Sequence, residues 1–152
     1  MKIVGIDPGK AGALACVNSE TLQADVFLMP YVGKEVDVRA VLSFLDEHSP
    51  TLVVLERQLG MAGQGRTSIF SIAKAYGELR ACAEIHGAPY LTPLPTQWTK
   101  KALAGVPGKG KERNVAAARR LFPAVDFTPG RRRKPHDGIA DALLLAWFGM
   151  KA

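Results

Sequence analysis

The chain has 152 residues, 47% of them apolar, and a formal charge of +6. That length suits a single domain spanning residues 1–152 around one core, and no apolar run approaches what a membrane-spanning helix needs. The excess of Lys and Arg points toward a polyanionic partner, while two distant cysteines in apolar surroundings, Cys16 and Cys82, exclude a disulfide framework and read as reduced, buried thiols.

The opening MKIVGIDPGK lacks the layout of a signal peptide, so cytoplasmic residence is the expectation. Residues 2–7 (KIVGID) form a buried-strand pattern that stops at the turn former Pro8-Gly9. Residues 12–18 and 22–28 read as two further strands joined by a short polar turn. Asp37 can cap a helix running to about Glu47, with Val38, Val41, Leu42 and Leu45 on one face. Residues 51–56 (TLVVLE) are nearly uninterrupted apolar, the pattern of a central strand covered on both sides.

A glycine-rich loop, LGMAGQGR, precedes a long helix over residues 67–86 that Gly87 closes. Residues 89–94 read as a short strand, Thr96 as the cap of a helix through Ala104, and Lys111 as the start of a helix ending at Phe122-Pro123. A loop rich in Pro, Gly and Arg leads to a strongly apolar helix over residues 137–150. A helical crossover between the first and fourth strands makes those two parallel, with their C-terminal ends at one edge; the first two strands form an antiparallel hairpin. The fold class is therefore a mixed α/β sheet flanked by helices.

Asp7 closes the first strand and Glu56 the fourth. Open α/β sheets place ligands at the carboxyl ends of their strands, so both positions are chemically eligible. Taken singly, Asp7 also reads as a turn residue before Pro8-Gly9, and Glu56 as an exposed strand end beside Arg57. Asp137 and Asp141 stand four residues apart at the head of the last helix, within about 40° on one face. Either could serve the helix instead, as an N-cap or a first-turn acid. Yet Asp141 lies inside IADALLLAWF, where an unpaired buried carboxylate is costly and calls for a cation. Four acids with no rival His or Cys set suit Mg²⁺, with Mn²⁺ as a substitute. Two such ions about 4 Å apart can hold a scissile phosphate and activate a water.

GIDPGKAGALA, then VVLER, then KPHDGIADALLLA resembles the RuvC family of Holliday-junction resolvases, in blocks that together span nearly the whole chain. The resemblance implies a ribonuclease H-like fold with a five-stranded mixed sheet in the order 3-2-1-4-5, strand 2 antiparallel. It also implies a homodimer that makes paired symmetric nicks across four-way junction DNA in recombination and repair. Matched residue by residue, the family's first-strand aspartate falls on Asp7, its fourth-strand glutamate on Glu56, and its final-helix aspartate on Asp141. The main bacterial pattern places an acid or histidine three residues before that last aspartate; here the position is Gly138. The fourth acid instead falls on Asp137, as in the mitochondrial and poxviral relatives. His136 could assist, although a histidine just outside a helix is more often a solvated neighbour of the cap.

Lys100 and Lys111 also fit the family pattern, which implies DNA phosphate contacts near the site. Lys109, Arg113, Arg131, Arg132 and Arg133 extend the basic surface. The alternative for each is a solvated surface charge. Relatives place an apolar residue that wedges into the junction three positions past the glutamate. Here that is Leu59, with Met61 nearby, although Leu59 could equally pack on the core.

GVPGKGKE imitates a phosphate-binding loop, but Glu112 stands where its Ser/Thr belongs and a helix precedes it, so no nucleotide cofactor is expected. Both Trp98 and Trp147 read as core residues. Rival readings are another nuclease of the same fold acting on RNA/DNA hybrids, flaps or structured RNA, a sugar-kinase or actin-like ATPase, and a junction-binding protein without catalysis. The ATPase needs two such lobes around its nucleotide, and 152 residues supply one.

Overall fold

The computed structural model describes residues 1–60 and 63–152. Strands β1 (Lys2–Asp7), β2 (Ala13–Asn18) and β3 (Ala24–Leu28) form an antiparallel meander. A small separate hairpin follows, β4 (Tyr31–Val32) and β5 (Glu35–Val36), which the sequence reading did not anticipate. Then come α1 (Val38–His48), β6 (Leu52–Leu55), α2 (Arg66–His86), β7 (Tyr90–Leu91), α3 (Pro95–Ala102), α4 (Gly110–Leu121) and α5 (Asp137–Met150). The main sheet has the order β3-β2-β1-β6-β7, with β6 and β7 parallel to β1. Leaving the two hairpin strands out of the count gives the expected 3-2-1-4-5 order. No helix among the described residues is long and apolar enough to cross a membrane.

Alternation along the central strands sends their side chains to two cores. Val4 and Ile6 of β1, with Val53 and Leu55 of β6, pack beneath α1 and α2. Ile3 of β1 and Val54 of β6 face the opposite layer, built from α3, α4 and α5. Asp7 and Glu56 continue this second set, because side chains two residues apart share a face. Both strand-end carboxylates are therefore committed to the α5 side.

Helix α5 lies hard against β1 at Gly5. A Cβ there would stand 2.0 Å from the carbonyl oxygen of Ala142 and 2.5 Å from the amide nitrogen of Ala146. Only glycine permits this approach, which draws Asp141, the neighbour of Ala142, toward the strand end.

Local chemistry sets most boundaries as expected. Asp37 accepts a hydrogen bond from Ala40 N–H (3.1 Å) at the head of α1, and Gly87, at φ 81°, closes α2. Two expectations are corrected. The strand expected over 89–94 shrinks to Tyr90–Leu91, since Pro89, Pro93 and Pro95 offer no backbone donors. Thr96 does not cap α3. Pro95 opens the helix and Leu94 is the cap residue, its N–H donating to the Gln97 side chain at 2.8 Å.

Candidate active site

The register of β1 and β6 brings Asp7 and Glu56 side by side. Ile6 pairs with Leu55 in parallel, and Glu56 N–H donates to the Ile6 carbonyl at 3.1 Å, extending the ladder one residue further. The head of α5 adds Asp137 and Asp141. Asp7 feels the charges of Asp141, Glu56, Asp137 and Lys111, and Asp141 those of Glu56, Asp137 and Lys111.

Burial pushes the Asp7 carboxyl well above its usual range, and repulsion from Asp141, Glu56 and Asp137 adds to the rise. Asp141 is pushed up to about 6 by burial, against an opposing hydrogen bond from Asn114 and with repulsion from Glu56 and Asp137. Glu56 is also raised by burial, with hydrogen bonds from Trp98 and Gln58 working against it. Asp137 goes the other way. Burial favours its protonated form, but the hydrogen bond and charge of Lys111 carry it below the usual carboxylate range.

Each acid has a distinct set of partners. The Trp98 indole N–H donates to Glu56 Oε1 at 2.9 Å, and the Gln58 amide to Oε2 at 2.9 Å. The Asn114 amide donates to Asp141 Oδ1 at 2.6 Å, and Lys111 Nζ to Asp137 Oδ2. Lys111 and Asn114 lie three residues apart on α4, matching Asp137 and Asp141 four apart on α5. The two packed helices thus form two rungs. Among the described residues, Asp7 alone of the four acids accepts no hydrogen bond.

A carboxylate set of this kind fits a hard divalent cation by its donor chemistry. Mutual repulsion and a partly buried carboxylate with no donor are relieved by positive charge, and an ammonium already occupies part of that role. Among the described residues, however, no three His, Cys, Asp or Glu side chains stand ready to hold one ion. The rungs hold Asp137 and Asp141 toward α4, and Trp98 and Gln58 hold Glu56. Bringing Asp137 to an ion shared with the others would require its side chain to turn away from Lys111.

Gly138, where the main bacterial pattern has an acid or histidine, has no room for a side chain. A Cβ there would lie 2.2 Å from the carbonyl oxygen of Ala11 and 2.8 Å from Gly12 Cα. The first turn of α5 rests directly on the β1–β2 turn, which leaves Asp137 as the acid at the head of the helix. His136 is corrected from a solvated neighbour to a buried cap, only 5% exposed. Its N–H donates to the Phe127 carbonyl at 2.7 Å, and its Nδ1 accepts from Ile139 N–H at 3.3 Å. Burial holds the imidazole below its usual value, which favours the neutral ring this acceptor role needs.

The basic residues divide. Lys100, Lys109, Arg131, Arg132 and Arg133 are exposed. Arg113 is half-buried and spends two donors on the segment before α4, Nε on the Val106 carbonyl and Nη2 on that of Leu103, each at 2.7 Å. A groove of about 580 Å³ beside Asp137 is lined by Lys111, Arg119, Arg132 and Lys134. The larger hollow, about 830 Å³, sits at the β3 edge near Cys16, His48 and Phe122 and contains none of the four acids. Leu59 is 58% exposed and does not pack on the core; Met61 lies outside the described residues.

Sequence reading missed Gln58, Trp98 and Asn114 as partners of the acids. A signal existed for two of them. A buried indole needs an acceptor for its N–H, and Asn114 shares a helix face with Lys111.

No family model matches the chain. The crossover junction endodeoxyribonuclease RuvC of Gloeobacter violaceus is 32% identical over 163 residues, covering 97% of this chain and 88% of the relative. Among solved structures, T. thermophilus RuvC in complex with a Holliday junction substrate superposes with a TM-score of 0.67 at 23% identity, covering 97% of this chain and 92% of that one. The yeast mitochondrial Holliday junction resolvase Ydc2 gives 0.63 at 16% identity, covering 98% and 77%. The structural likenesses establish a common fold, and the sequence match over nearly the full length places the chain in the RuvC family of crossover junction endodeoxyribonucleases.

Proposed function

We propose that the protein is a structure-selective endonuclease that resolves four-way DNA junctions by paired nicks, using Asp7, Glu56, Asp137 and Asp141 to hold two Mg²⁺ ions. The observation that carries this reading is the convergence of two strand-end carboxylates in parallel register on the face covered by the helix that bears the other two. Mn²⁺ serves as a substitute ion.

Held by Asp7, Glu56, Asp137 and Asp141, such ions would supply activation of a water and charge stabilisation at the scissile phosphate. The chain's own groups make that arrangement possible. Glu56 is oriented by neutral donors, so its negative charge is left uncompensated. Asn114 holds one oxygen of Asp141. Lys111 neutralises Asp137 until DNA approaches, then turns its ammonium to a phosphate. Lys100, Lys109, Arg131, Arg132 and Arg133 add backbone contacts along the α4 side, while Arg113 braces the loop that presents Lys109. Leu59 stands free to enter the junction. The first turn of α2 lies against the same loop, since a Cβ on Gly60 would lie 3.7 Å from Ile69 Cγ2.

Two matched nicks require two sites, hence a homodimer across a two-fold axis. The outward face of α2 supports this, for Phe70, Ala73, Gly77, Ala81 and Ile85 are exposed on it. The bacterial relative supports a cytoplasmic setting. The fold supports reading the chain as a single nuclease domain.

A cleavage panel tests the reading. With Mg²⁺ the protein is expected to nick a four-way junction in preference to an RNA/DNA hybrid or a flap, and to nick nothing in EDTA. Preference for the hybrid or flap overturns it. Asp7→Asn or Glu56→Gln is expected to abolish cleavage while junction binding persists; binding lost together with cleavage counts against the assignment of these residues to the ions. Lys111→Ala is expected to weaken junction binding across sequences and to lower the slope of log affinity against log salt by about 1. An unchanged slope rules out a phosphate contact.

A further inference from the structure

Trp98 is 2% exposed, among the largest fully buried side chains, and packs in the core beneath α5. By composition it is an ordinary core residue. Its N–H, however, is spent on a carboxylate 42 residues away, Glu56 Oε1 at 2.9 Å. A rigid indole held on all sides cannot follow its acceptor, so the bond fixes the carboxylate and not the reverse. The donor is also neutral. Lys111 cancels the charge of Asp137, whereas an indole orients Glu56 without supplying a competing cation. The Gln58 amide completes the setting at Oε2. A carboxylate oxygen carries two lone pairs, so one donor per oxygen leaves each free to meet an ion.

We infer that Trp98 is a positioning residue for divalent-cation binding: its core-locked indole N–H sets the orientation in which Glu56 meets the ion. The inference rests on the proposed role of the four acids. It extends that role to a residue in contact with neither ion nor DNA. Partners that orient a metal ligand typically alter metal affinity about 10–100-fold when removed.

The test uses the full chain without DNA. Replacing Trp98 with 3-benzothienylalanine exchanges the N–H for sulfur at nearly constant shape, and Trp98→Phe is a second, genetically encoded version. Mg²⁺ binding is followed by calorimetry. In Trp147→Phe, where Trp98 is the only indole, it is also followed by emission. The expected result is a saturable change in Trp98 emission that tracks the calorimetric isotherm. The Mg²⁺ midpoint is expected to rise about 10-fold or more in the sulfur isostere, with little change in the cation-free melting temperature and most of the cleavage rate recovered at saturating Mg²⁺. A merely structural role lowers the melting temperature and leaves the midpoint in place, and that result overturns the inference. So does calorimetric binding with no change in Trp98 emission, an arm that needs no replacement at position 98. If unsubstituted protein gives no Mg²⁺ isotherm at all, the reading of the acids as ion ligands fails first, and the two failures are told apart.

Discussion

Asp141→Asn is expected to raise the melting temperature of the cation-free protein at pH 8 while abolishing junction cleavage. Burial pushes the folded-state carboxyl up to about 6, against roughly 3.9 when unfolded. Below pH 4 the group is protonated in both states and costs nothing. As pH rises from about 4 through about 6, the unfolded chain releases its proton first, so stability is progressively lost. The loss is of the order of 2–3 kcal/mol by neutral pH. Asp7 and Glu56 add to it in the same sense, since burial raises them too. Asp137 acts oppositely: Lys111 holds it below the usual range, so its contribution is present above about pH 4 and fades as pH falls below. Asparagine is neutral in both states and still offers Oδ1 to the Asn114 amide. For a chain of this size the gain corresponds to roughly 5–10 °C. In the proposed role of Asp141 a ligand is lost with the charge, and with it several kcal/mol of transition-state stabilisation, or about 10³-fold in rate. Thermal melts of both proteins in EDTA from pH 4 to 8 check this. The two curves should coincide near pH 4 and separate above it, and Mg²⁺ should narrow the gap for wild type alone. A variant less stable than wild type at pH 8 refutes the account of a frustrated carboxylate cluster.

That frustration was legible in outline before any coordinates. A buried strand ending in Asp7, a second ending in Glu56, and an acid stranded inside an apolar helix are one-dimensional signals, because each depends on periodicity within a single element. The parallel pairing of the first and fourth strands follows from the same patterns and the helical crossover, whereas the full strand order is what the resemblance to the RuvC family implies. What could not be read is which group touches which acid. Trp98 and Glu56 are separated by 42 residues, and Asn114 and Asp141 by 27. Nothing in local patterning distinguishes a tryptophan that merely fills the core from one whose N–H is aimed at a carboxylate. His136 was misread for a related reason. Sequence places it outside the helix, but in the fold it is buried and Phe127 claims its backbone N–H. Arg113 belongs here as well: a basic residue in a basic stretch suggests DNA, yet its guanidinium faces two carbonyls of its own loop.

Gly138→Ala is expected to destabilise the protein, and this sets packing against local propensity with opposite signs. Helix propensity alone makes alanine better than glycine in a helix interior by about 1 kcal/mol. Packing says otherwise. The new methyl would stand 2.2 Å from the Ala11 carbonyl oxygen, 2.8 Å from Gly12 Cα and 3.0 Å from Gly12 carbonyl carbon. All three are backbone atoms, so no rotamer change relieves the overlap. The turn cannot retreat either, because a Cβ on Gly12 would itself lie 2.0 Å from the Asp7 carbonyl oxygen, leaving the turn folded tightly over the strand end. The head of α5 must lift instead. Overpacking of this kind costs about 3 kcal/mol when nothing can yield, or roughly 6–12 °C in melting temperature. Lifting the helix also moves Asp137 and Asp141 from Asp7, so Mg²⁺ affinity and cleavage should fall together, unlike the split expected at Asp141. The same geometry bears on Gly138→Asp, which writes the main bacterial pattern into this chain. It should supply no additional ligand, because its first side-chain atom has nowhere to go. Melts and Mg²⁺ titrations of the alanine variant decide the matter: stability equal to or above wild type would mean that propensity governs this turn and that the close contact is not what excludes an acid from position 138.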